Sequence, residues 1–189
     1  MAFFISSVAV TDLGECLTRW TVRAALLCYF IAVSMYLLQR QRWAARWLFT
    51  TGCALFIAHV FFAFHVFHHW SHAHALEETA RQTEALTGVR TGVGLWLNYL
   101  FTLLWIGETI AWWDLDARLG KGRSVRVTVH AFMLFIIFNA TVVFETGWVR
   151  WLGASGCALI LGLAIHRWRQ DRITRIRPIS PSRPDEKSQ

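Results

Sequence analysis

Between Phe64 and His74 the chain reads Phe-His-Val-Phe-His-His-Trp-Ser-His-Ala-His, so five of its eight histidines lie close together, with His59 just upstream. On an α-helix, positions i, i+3, i+4 and i+7 recur on one side. That places His65, His68, His69 and His72 within a sector of about 100°, with His59 and His74 pointing elsewhere. Neutral imidazoles three or four residues apart can reach one transition-metal ion (zinc, copper or iron) from a single helix. Glu145 is the best-placed carboxylate to join them as a ligand, and Glu78 is placed to orient a ring from behind. The same cluster could instead be rings resting at headgroup depth, or a pH sensor, because close imidazoles resist simultaneous protonation.

A second pair with chemical content is Glu108 and His130. Each falls a few residues inside an apolar run, at depths that match when 1.5 Å is allowed per helical residue. Ionisable groups within a span point to function by default. The structural alternative is an internal Glu108–His130 pair, or Glu108 meeting Arg126. A bis-histidine haem is disfavoured, because the fourth run carries Asn139, not a histidine, at the depth of His59.

The elements that must position these groups are membrane helices. The 189 residues are 55% hydrophobic with a mean hydropathy of +0.38, above the usage of water-soluble domains. Five apolar runs approach the roughly 20 residues that cross a hydrocarbon core. They cover about 22–39, 47–67, 93–113, 127–144 and 148–166. Backbone groups in lipid must satisfy one another, so the runs are expected as helices in an all-α, polytopic integral membrane protein. Residues 1–21 are expected as an extracytoplasmic interfacial segment, 22–166 as the bundle, and 167–189 as a basic, proline-containing cytoplasmic tail.

Of the 19 Lys and Arg residues, 14 fall on one side of this drawing and 5 on the other. This bias predicts an N-terminus outside and a C-terminus in the cytoplasm, in a plasma or bacterial-type inner membrane. A net charge of +7 is explained by topology, so nucleic acid is not expected as a partner. The second helix is expected to continue past the membrane with a break near Ser71 and to end at Gly88. Ala154, Ala158 and Gly162 recur every four residues, which would let a partner helix approach closely. The four cysteines show no metal-finger spacing.

His65-Val-Phe-His68-His69 resembles the HxxHH box of the integral-membrane fatty-acid hydroxylase and sterol desaturase superfamily. That resemblance implies a two-iron oxygenase centre built from several such boxes facing the cytoplasm. The chain carries no second box, and its topology puts this one outside, so the activity is not carried over. Three function classes follow: a protein that binds a transition metal or handles protons at its outer histidine face, an accessory or scaffold subunit without a cofactor, and a histidine-box oxygenase.

Overall fold

The computed structural model describes the backbone of residues 2–114 and 123–176 and the side chains of 13–114 and 124–174. Arg118, Lys121, the side chain of Asp12 and the residues beyond Ile176 lie outside the described residues. Among the described residues six α-helices follow in order: α1 (Ala2–Leu37), α2 (Arg42–Val66), α3 (His72–Thr87), α4 (Val93–Trp113), α5 (Arg123–Phe138), and α6 (Trp148–Ile176). A π-helical turn, Asn139–Val143, extends α5.

Five of these helices are long and apolar enough to cross a membrane: Leu13–Leu37, Arg42–Val66, Val93–Trp113, Ser124–Val143 and Trp148–Thr174. The protein is an all-α polytopic membrane protein. The first span begins earlier than hydropathy alone suggests. Asp12 and Glu15 interrupt the apolar run, yet α1 is continuous from Ala2. A helix in propagation tolerates isolated charged residues at little cost. The last helix runs to Ile176, past His166 and into the basic stretch that follows it.

The spans close into a ring in which α1 touches α2, α2 touches α4, α4 touches α5, α5 touches α6, and α6 returns to α1. Each contributes to one core: Tyr29 and Phe30 from α1, Phe49 and Phe56 from α2, Phe101 and Trp105 from α4, Met133 and Ile137 from α5, Ile160 from α6. Trp105 is fully buried, edge-on to Tyr29 at 5.5 Å between ring centroids and stacked near Phe56 at 5.4 Å. Without a hydrophobic drive between helices in lipid, this close packing is what holds the ring. Glycine makes the tightest contacts. A Cβ on Gly153 would sit 1.9 Å from Thr141 Oγ1, and one on Gly156 2.5 Å from the Phe30 ring. By contrast Ala158 and Gly162 are exposed, and a Cβ on Gly162 would meet nothing within 4 Å.

Helix α3 lies outside the apolar spans and packs on α4. Ser71 caps it, its hydroxyl accepting from the His74 N–H at 3.3 Å. Gly88 ends it at φ 75°, its N–H donating to Glu84 O at 2.8 Å, as expected of a left-handed C′ glycine. Arg90 reaches back from the following turn to Glu77 and Glu84.

Candidate functional site

The histidine run is split by the end of a helix. Helix α2 stops at Val66, and His69 and Trp70 both adopt left-handed backbone conformations, at φ 47° and 61°. The Trp70 N–H donates back to Phe64 O at 3.0 Å, and the Ser71 N–H to His68 O at 2.8 Å. A non-glycine residue with such a φ costs of order 1 kcal/mol or more and persists only where surrounding contacts enforce it. Here the Trp70 ring packs against Phe61 at 5.1 Å and against Phe64 at 6.3 Å. The chain then restarts as α3 under the Ser71 cap.

The expected single face of His65, His68, His69 and His72 therefore does not form. His65 remains on α2, exposed and parallel to Phe61. His69 is exposed in the turn. His72 opens α3 and pairs through Nδ1 with the Tyr99 hydroxyl on α4 at 3.1 Å. The turn instead joins His68 to a histidine that helical periodicity had set aside: Nδ1 of His68 and Nδ1 of His74 are 3.4 Å apart. Partial burial and the neighbouring His74 imidazole hold His68 below the ordinary histidine value, opposed by the Glu78 carboxylate. Glu78 itself is held down at about 2 by hydrogen bonds from Arg81 and Gln82. Glu145 is exposed in the loop before α6. Among the described residues, no three His, Cys, Asp or Glu side chains gather as a metal site.

The pairing was detectable in principle. Once Ser71 is taken as a cap, His74 becomes the third residue of a new helix, and the spacing rule no longer runs through it.

At the opposite end of the bundle the intramembrane pair is larger than expected. Glu108, 5% exposed, accepts from Arg126 Nε at 3.2 Å and from the Trp112 indole N–H at 3.2 Å. Arg126 Nη1 also donates to the Tyr36 hydroxyl at 2.8 Å. His130 Nε2 stands 3.9 Å from Glu108 Oε1, beyond hydrogen-bond reach, while its Nδ1 lies 3.1 Å from the Tyr29 hydroxyl. Arginine and carboxylate thus form the primary contact, with the histidine beside it. Among the described residues, Arg126 Nη2 and His130 Nε2 are buried without a hydrogen-bond partner. His166 lies apart, exposed and bonded to Gln170, and His59 is bonded through Nδ1 to Thr18 O at 2.8 Å. Phe101 stands edge-on to both Phe56 and Trp105 in the core that the bundle encloses.

No family model, curated protein or solved structure matches the chain.

Proposed function

We propose that this membrane protein binds a divalent transition-metal ion at its histidine end, through Nδ1 of His68 and His74. The observation that carries it is the 3.4 Å separation of those two nitrogens. Two nitrogens each about 2.0–2.1 Å from zinc at a tetrahedral angle stand about 3.3–3.4 Å apart. The turn already holds them at that spacing. Two protein ligands leave positions for water or an exchangeable group, which suits capture and release better than a closed structural site. His65, His69, His72 and Glu145, the other members of the sequence-derived set, would serve only in approach to the ion.

A zinc titration against a chromophoric chelator tests this in detergent-purified protein. Wild type and His65→Ala should compete for the ion equally, and His68→Ala/His74→Ala should not compete. Equal competition by the double variant would refute the proposal.

The histidine end is proposed to face the extracytoplasmic side, on the strength of the Lys and Arg bias. A reporter fused after Gly88 that is active only in the cytoplasm would overturn this orientation.

A second reading, a scaffold subunit acting through helix packing, is favoured by one observation. Ala158 and Gly162 turn away from their own bundle, with open space beside Gly162. If a partner helix sits there, Gly162→Trp should change the size of the complex extracted in mild detergent. An unchanged size would remove this reading.

A further inference from the structure

We propose that the cleft between α4 and α5 takes the hydroxyl end of a long-chain alcohol dissolved in the bilayer. The cavity, about 90 Å³, is lined by Leu103, Leu104, Gly107, Val125 and Val129, with Glu108 and Arg126 among its walls. Its rim faces lipid, since Leu103 is 66% exposed and Val125 54%. Gly107 keeps the space open. A Cβ there would meet nothing within 4 Å, so close helix packing does not account for glycine in the middle of a span, where it weakens the helix.

The chemistry of the cleft selects the head of its occupant. Arg126 spends Nε on Glu108 and Nη1 on Tyr36, and its buried Nη2 has no hydrogen-bond partner among the described residues. Guanidinium offers only donors and an ionised carboxylate only acceptors. A hydroxyl answers both, accepting from arginine and donating to glutamate. A phosphate would bring negative charge against Glu108. The two protein charges already cancel, so a neutral head adds no unpaired charge to a medium that penalises one. Glu108 lies five residues before the end of α4, about 8 Å below it at 1.5 Å per residue. That depth leaves a hydroxyl in the cleft and its chain among the acyl tails.

Photoactivatable hexadecanol, incorporated in phosphatidylcholine nanodiscs with the full chain, provides the test. Labelled peptides should centre on Leu103–Gly107 and Val125–Val129. Excess unlabelled hexadecanol should abolish this labelling, and excess hexadecane, which lacks the head, should leave it intact. Gly107→Leu fills the cleft and should lose the label, whereas Gly162→Leu, at an equally open glycine on α6, should keep it. The competition arms use wild-type protein, so a folding defect in Gly107→Leu would not decide the outcome. Labelling spread evenly over the lipid-facing helices, or equal competition by hexadecane, would overturn the proposal and leave a cleft that holds only water or acyl chain.

Discussion

Glu108 and Arg126 meet at 3.2 Å, fastening α4 to α5 within their membrane-spanning stretches. Through Tyr36 the same guanidinium reaches α1, and through Trp112 the carboxylate braces its own helix. One ion pair thereby ties three of the five spans at the arginine-rich end.

Removing one partner strands the other. Glu108→Ala should lower stability by about 3 kcal/mol, as for other buried pairs cut on one side. Replacing both, Glu108→Leu with Arg126→Met, should cost clearly less. Denaturant unfolding in mixed micelles would measure both, and a double variant at least as unstable as the single one would show that the pair is not a coupled unit.

Two glycines on α6 should respond oppositely to alanine. At Gly153 the new methyl would overlap Thr141 Oγ1, which is itself bonded to Ile137 O at 2.7 Å. A loss of about 1–3 kcal/mol is expected from such overpacking. At Gly162 nothing obstructs the methyl, and a gain of up to about 1 kcal/mol follows from helix propensity. Thermal unfolding of the two variants side by side would check this.

Ser71→Ala removes the cap of α3 and should cost about 1 kcal/mol. Faster amide exchange over the first turn of α3 is the expected sign. The same substitution should weaken zinc binding, because the cap sets where His74 stands relative to His68. Unchanged exchange in that turn would mean that packing on α4, not the cap, fixes the start of the helix.

Glu78 gives α3 an acid limit. Its carboxyl lies at about 2 in the folded protein against an ordinary value of 4.5. The folded value is the lower one, so the contribution is complete above pH 4.5 and is lost as pH falls toward 2. The pair with Arg81 is exposed, so the effect should be small and weakened further by salt. Circular dichroism between pH 5 and 2 should show a loss of helix that Glu78→Gln lacks.

Much of the fold could be read from the sequence, because a span must be long, apolar and helical whatever it packs against. The third span was expected at the residues that α4 occupies, and Gly88 ends α3 as its chemistry dictates. The candidate site was less legible. A break near Ser71 was expected and is found. Yet the histidine face was drawn by helical periodicity as if the helix ran on, and Phe67–Ser71 contains neither glycine nor proline to mark how sharply it turns. The turn is enforced by Trp70 packing on Phe61 and Phe64, a tertiary contact that spacing does not encode. Glu108 and His130 lie 3.9 Å apart, yet which of Arg126 and His130 would hold the carboxylate depended on rotation of α5 about its axis. Sequence depth is silent on that rotation.

The proposed metal site is tested most directly by the zinc X-ray absorption fine structure of loaded protein. Two imidazole nitrogens at about 2.0–2.1 Å are expected, falling to one in His74→Ala. A shell of oxygens alone, or a spectrum unaltered in His68→Ala/His74→Ala, would contradict the assignment of His68 and His74 as ligands.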